Sequence, residues 1–333
     1  MLSRLDRLAY RSQHLSFLIN ATVMQEAARM LSRKRRPDLA ASELRVLMRR
    51  HKALHEVDLA NVDAGMYPRE LLFDIPMRRY ARAFPRLVRD TPNVMRRMKR
   101  GDYKDIPTVD KASYPAYYRR NFHWQTDGYF SEYSAEVYEL GVELLFRGTA
   151  DVMRRQIIPP ITRFLREEKA TRILDVACGT GRTLHQLLRS HPSLKVWGID
   201  LSPAYVKVAK QRAPEATVAV ENAEHLPFAD GAFDVVTSVY LFHELPRNAR
   251  RNVVREMVRV LRPGGLLVIE DSAQLAESAE IATALHEFPR DFHEPFYEDY
   301  LGDDLASLLG ECGFAVSSVE PHLVAKVVVA TKP

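Results

Sequence analysis

Residues Arg172–Arg182, RILDVACGTGR, restrict the fold of this chain more than any other stretch. Ile173, Leu174, Val176 and Ala177 form a short apolar run of β-type residues, which predicts a buried parallel strand. Asp175 interrupts that run and puts a carboxylate near the strand's end. Gly179 and Gly181 follow at once, and glycine tolerates positive φ and lets a ligand approach the backbone. From Arg182 to Leu188 the chain reads as a helix. A strand, a glycine turn and a helix N-terminus make a nucleotide-type pocket, with backbone N–H groups and a dipole facing the ligand. The dinucleotide fingerprint would want a third glycine at position 184, where this chain has Leu184.

Downstream the chain alternates. Strands are expected at Leu194–Ile199, Thr217–Val220, Phe233–Val239 and Leu266–Glu270, with helices opening at Ser202-Pro203 and running from Asn248 to Leu261. Such alternation predicts a parallel sheet with helices on both faces. The end differs. Phe314–Val319 and Leu323–Ala330 are separated only by Glu320-Pro321-His322, too short for a parallel crossover, so these two must pair antiparallel. The expectation is an α/β fold, a seven-stranded Rossmann-like sheet with its last strand antiparallel.

LDVACGTG resembles the first motif of class I S-adenosylmethionine (SAM)-dependent methyltransferases. ENAEHLPFADGAFDVV, Glu221 to Val236, resembles the third and fourth motifs of the same family, and LRPGGLLVIED, Leu261 to Asp271, resembles its turn before the fifth strand. The resemblance covers roughly residues 150–333 and is nearest to the ubiquinone/menaquinone-biosynthesis type of small-molecule methyltransferase. It implies SAM as cofactor and S-adenosylhomocysteine as product, held by Asp175, Ala177, Gly179, Gly181, Asp200, Leu201, Asn222, Ala223 and Tyr240. The residues support parts of this directly. Asp200 stands at the C-terminal end of the second strand, where an acid binds ribose hydroxyls. Family members usually carry an acid at the adenine-facing position; Asn222 here keeps an acceptor oxygen and gives up the charge.

Methyl transfer asks the protein for alignment and, where the acceptor is protonated, a base. His243, in the segment after the fourth strand, is the base expected here, because an imidazole titrates near neutrality. Two aromatic-polar stretches, YPAYYRRNFHWQTDGYF from Tyr114 and FPRDFHEPFYEDY from Phe288, are expected to meet above it and enclose a small, partly apolar acceptor. His123, Trp124, Tyr129, Glu294 and Tyr297 are the acceptor-pocket candidates. No metal is expected, since His243-Glu244 lacks a second histidine four residues on.

The first 120 residues hold 26 Lys/Arg against 13 Asp/Glu, and the remainder 22 against 30. That asymmetry raises an anionic partner, nucleic acid or a membrane surface. A nucleic-acid methyltransferase is therefore one alternative, but no Asp/Asn-Pro-Pro-Tyr motif follows the fourth strand. A SAM-binding protein with a non-methylating activity is the other. Near-helical leucine spacing predicts that residues 1–110 form a helical cap, broken by the basic stretch Ser32–Asp38 and Pro37, with Met66–Arg100 split into short pieces by four prolines. Residues 111–150 form an aromatic lid segment and a helix, and 151–333 the methyltransferase domain. Two cysteines, no apolar run near membrane-spanning length and no secretory signal predict a cytoplasmic protein; peripheral membrane contact and homo-oligomerisation stay open.

Overall fold

In the central strands of the sheet, neighbouring residues point into two different cores. Leu174, Val236, Leu267 and Ile269 face one side, packed on Val253, Val254, Met257, Leu305 and Leu309. Ile173, Val235, Leu266 and Val268 face the other, packed on Ile158, Ile161, Leu184, Leu187 and Ala209. A strand buried on both faces needs apolar residues at every position, so its sequence runs continuously apolar instead of alternating.

The computed structural model describes residues 1–32 and 39–333 of the chain; the break read at Ser32–Asp38 lies mostly outside them. Four long helices come first: α1 (Arg4–Ser32), α2 (Ala41–Asp63), α3 (Met77–Arg100) and α4 (Glu132–Leu145). The short α5 (Ala150–Arg154) and α6 (Ile158–Glu167) lead into the sheet. There follow β1 (Arg172–Val176), α7 (Arg182–Ser190), β2 (Lys195–Asp200), α8 (Pro203–Arg212), β3 (Thr217–Val220), β4 (Phe233–Val239), α9 (Arg247–Val260) and β5 (Leu261–Ser272). Then come α10 (Leu275–Ser278), α11 (Ala282–Asp291), α12 (Tyr297–Gly302), α13 (Leu305–Glu311), β6 (Ala315–His322) and β7 (Ala325–Thr331).

The strand order is β3-β2-β1-β4-β5-β7-β6. All neighbours from β3 to β5 pair parallel, and β7 runs antiparallel to both β5 and β6. The expected sheet is therefore the observed one. The order reverses between β1 and β4, which opens a crevice at the carboxyl ends of those strands.

One expectation fails. Met77–Arg100 is a single helix with Pro85 and Pro92 inside it. Each proline removes a backbone donor and costs about 3 kcal/mol in a helix interior. Both prolines lie on the exposed side, and tertiary contacts on the other side hold the helix together. Tyr80 and Ala83 pack with Leu140 of α4. Asp90 accepts from Thr126 Oγ1 at 2.6 Å, and Arg97 Nε donates to the Trp124 carbonyl at 3.1 Å.

The N-terminal helices bond to the sheet region at several points. Arg50 Nη1 donates to Ser278 Oγ and to the Leu323 carbonyl, and Glu43 accepts the Thr283 N–H at 2.8 Å. Among the described residues no helix is long and apolar enough to cross a membrane. The most buried link is Asp58 of α2. Its carboxylate accepts from Tyr10 of α1, from Tyr67 and from Arg155 between α5 and α6, each at 2.5 Å. Burial alone would raise the Asp58 pKa, but the Arg155 guanidinium holds it below the usual carboxylate range. Asp58→Ala strands a buried guanidinium, so it should cost about 3–5 kcal/mol of stability. Urea denaturation measures this; a loss under about 1 kcal/mol would show that the node does not hold the helices in place.

Candidate functional site

The site starts from the turn after β1. Ala177 and Gly179 both have positive φ, 61° and 55°. Gly179 faces open space, and its N–H donates to Asp200 Oδ2 at 2.9 Å, which ties the turn to the end of β2. Gly181 does something else. A Cβ there would sit 2.9 Å from the Ala209 backbone, so this glycine lets α7 pack against α8 and does not line the cleft.

A cleft of about 990 Å³, mouth included, opens at the switch point. Ala177, Gly179, Asp200, Leu201, Asn222, Ala223 and Tyr240 all line it. Asp200 also accepts the Ser202 N–H at 2.8 Å, and burial pushes its carboxyl up to about 6 against the opposing pull of the two N–H donors. Asn222 uses Oδ1 to accept the Glu224 N–H, which points to its amide NH₂ as the group left for a ligand. Asp175 lies beneath the turn, 1% exposed, with neither carboxylate oxygen hydrogen-bonded. Burial holds its pKa well above the ordinary value, against the pull of the nearby Arg154 guanidinium.

This donor set can be tested against candidate ligands. The acceptor oxygens of Asp200 at the cleft call for a ligand bringing hydroxyl donors, and SAM has them in its ribose. The residues present fit SAM.

The cleft also has an aromatic wall. The strap from Tyr114 to Phe130 crosses the carboxyl edge of the sheet. Tyr117 OH donates to Glu224 after β3 at 2.7 Å, and Tyr129 OH donates to Glu244 after β4 at 2.6 Å. Tyr118, Tyr129, Tyr138, Tyr240 and Glu244 line this wall. The structure brings three of the expected acceptor residues together around Glu244. His123 Nε2 lies 3.1 Å from Glu244 Oε1, and its Nδ1 lies 2.8 Å from Glu294 Oε1. His123, Glu244 and Glu294 are also a group with metal-ligand chemistry, their donor atoms all within 4.8 Å of one another. His123 and Glu294 sit behind Glu244, and neither they nor Trp124 and Tyr297 line the cleft. Trp124 packs on His293, and Tyr297 is buried with its OH against Ser272.

His243 is not placed to act as a base, and that expectation is corrected. It does not line the cleft, and its Nδ1 lies 2.7 Å from Asp271 Oδ1. Burial would lower the imidazole, but the Asp271 carboxylate overrides it and lifts the pKa to about 9. A ring protonated at neutral pH cannot take a proton. Sequence reasoning passed over its neighbour Glu244, which a short 3₁₀ turn (Phe242–Glu244) directs into the cleft. It also missed Arg154, which lines the cleft and lies in a helix before the first motif.

Residues 173–265 match a family model described as a methyltransferase domain. The chain is 34% identical over 135 residues to the demethylmenaquinone methyltransferase of Thermotoga maritima, covering 40% of this chain and 56% of that protein. It is 32% identical over 154 residues to an uncharacterized methyltransferase of Synechocystis, 46% of this chain and 70% of that one. An O-methyltransferase of Aspergillus nomiae is 33% identical over 177 residues, 50% of this chain and 75% of its own. The chain thus spans little more than half of the first relative's length and 70–75% of the other two.

Two outcomes follow from this geometry. Asp200→Ala removes an ionised acceptor whose hydrogen bonds are worth about 1.5–3 kcal/mol each, so S-adenosylhomocysteine affinity should drop at least about tenfold. In the unaltered protein the same affinity should weaken as pH falls through about 6, where the carboxyl gains its proton. Calorimetry at several pH values reads both. The His243–Asp271 pair makes a separate prediction for stability. A histidine pKa raised to about 9 contributes stability that is complete below its unfolded value and is lost as pH rises through about 9. The melting temperature of His243→Gln should therefore lie below that of the unaltered protein at neutral pH, and the gap should narrow above pH 9; a gap constant with pH would exclude the ion pair as its source.

Proposed function

The chain belongs to the class I SAM-dependent methyltransferases, and on that premise we propose that it methylates a small, partly apolar organic acceptor at the aromatic wall of its cleft. The observation that carries this reading is one cleft whose lining combines the backbone of Gly179 and the polar side chains of Asp200 and Asn222 with tyrosine rings and the carboxylate of Glu244. The names of two relatives, for demethylmenaquinone and for O-methylation, support a small organic acceptor.

Bound SAM supplies an activated methyl group on a sulfonium. The chain's own residues supply placement. Asp200 and Asn222 would hold the nucleoside, in the same cleft that Tyr240 and Glu244 line. Tyrosine faces stack on a flat or apolar acceptor and exclude water, while hydroxyl tips keep their hydrogen bonds. Glu244 has both of its hydrogen bonds, from Tyr129 and His123, on Oε1, and Oε2 is the oxygen available to an acceptor proton. We read residues 1–110 as a helical cap, 111–150 as the lid segment with α4, and 151–333 as the catalytic domain.

The test is methyl transfer from labelled SAM to a panel of phenols, quinols and carboxylic acids, with calorimetry of SAM against NAD. SAM should bind and NAD should not; the reverse result would end the reading. Tyr129→Phe should lower turnover on any methylated acceptor about tenfold through loss of Glu244's alignment, while S-adenosylhomocysteine affinity changes less than about twofold. Equal losses in both would place Tyr129 at the cofactor instead.

A further inference from the structure

Helix α3 turns two unlike strips to solvent. Met77, Phe84 and Val88 are 60, 44 and 52% exposed, and with the exposed Ala81 they follow the three- and four-residue steps that align side chains along one side of a helix. Beside them runs a basic strip, Arg78, Arg82, Arg89, Arg96 and Arg100, spaced by four and seven residues and exposed throughout. Among the described residues none of these five arginines has an ion-pair or hydrogen-bond partner. The other two ion-paired cations of the helix are accounted for, Arg86 by Glu136 and Arg97 by Asp105. Asp90 is the one acid in α3, and it is buried on the opposite face with Tyr80 and Ala83. The apolar exposure is also local. Among the described residues every exposed large apolar side chain except Val220 lies at or before Val88. An apolar strip of this kind, set against charge, marks a surface that meets a partner.

We propose that the outer face of α3 lies on an anionic phospholipid bilayer, with Met77, Phe84 and Val88 in the upper acyl region and the arginine row at the phosphates. A row of exposed cations with no acid on its own face takes its counter-charge from outside the chain. The apolar strip beside it decides what carries that charge. A bilayer interface presents phosphate and hydrocarbon at adjoining depths, and a helix with a basic strip next to an apolar one lies in that plane. Long arginine stems let the guanidinium groups reach the phosphates while the apolar side chains go deeper. Nucleic-acid phosphates would take the arginines and leave the apolar strip in water. A second copy of the same face would set arginines near arginines with no carboxylate between them. Pro85 and Pro92 weigh against that contact too. Each leaves a carbonyl one turn back without its helical donor, which a dry helix–helix seam would bury and hydrated headgroups would satisfy. The buried side of the same helix holds the aromatic strap at Thr126 and Trp124, so docking on the outer face leaves those bonds in place.

The full chain is mixed with vesicles of phosphatidylglycerol and phosphatidylcholine, and separately with vesicles of phosphatidylcholine alone, and bound protein is measured by flotation. Binding to the anionic vesicles that falls as salt rises, and none to the neutral ones, is expected. Arg82→Gln, Arg89→Gln and Arg96→Gln combined should weaken it at least about thirtyfold, since each cation near the surface contributes roughly fivefold. Phe84→Ser should weaken it at least about tenfold, because the ring no longer enters hydrocarbon. These side chains are exposed, so the variants should melt as the unaltered protein does. In Phe84→Trp the added fluorescence should be quenched by brominated acyl chains, which reads the contact even if the other variants misfold. No binding to anionic vesicles at millimolar lipid, binding unchanged in both variants, or an unquenched Phe84→Trp overturns the docking face. Binding lost with the arginines but kept in Phe84→Ser, and competed by polyuridylate, overturns it in favour of nucleic acid. A dimer in sedimentation that Phe84→Ser dissociates overturns it in favour of a second copy.

Discussion

The Asp271 carboxylate, at the end of β5 and fully buried, decides where the chain goes after β4. It accepts the N–H groups of Leu241 and Phe242 at 3.0 and 2.7 Å, its own neighbour's from Ser272, and the His243 imidazole. Burial of a carboxylate is unfavourable unless its acceptor sites are filled, and here a cation and three backbone donors fill them. The loop is thereby pinned to the neighbouring strand, and the next residue, Glu244, is carried into the cleft. Glu244 in turn receives Tyr129 and His123, so the strap that walls the acceptor end takes its position from β5 through two intermediate contacts.

The cofactor end is built on shorter connections. Two adjacent strands, β1 and β4, are each followed by a non-glycine residue in the left-handed region, Ala177 and Tyr240. Each turns the chain sharply away from the sheet, and the gap between them is the crevice. Asp200, at the end of the next strand, closes the turn by accepting from Gly179 and still faces the cleft. The acid that would bind ribose is therefore also part of the scaffold of the turn.

That difference explains what could be read from the residues alone. The sheet was legible because continuous apolar runs such as Phe233–Val239 fill both cores and admit no other period. The cofactor end was legible because Gly179, Asp200 and Asn222 come in fixed order within one alternating segment. The acceptor side was legible in part: the two aromatic-polar stretches gave His123, Tyr129 and Glu294, which do come together, while Glu244, from a third segment that no spacing rule connects to them, was passed over. The choice of His243 over Glu244 turned on side-chain titration, whereas the Asp271 contact and a single 3₁₀ turn decide which of the two faces the cleft. In α3, reading prolines as breaks neglected the partners on the helix's other face, where Tyr80, Asp90 and Arg97 fix it.

The strap is fastened on both sides of the cleft, by Tyr117 to the loop after β3 and by Tyr129 to the loop after β4. Both fastenings are tyrosine–carboxylate hydrogen bonds, strong enough to hold a resting position and weak enough to break at thermal rates. The aromatic wall of the cleft is thus tied to the sheet at two points, one on each side, and each tie is a single hydroxyl.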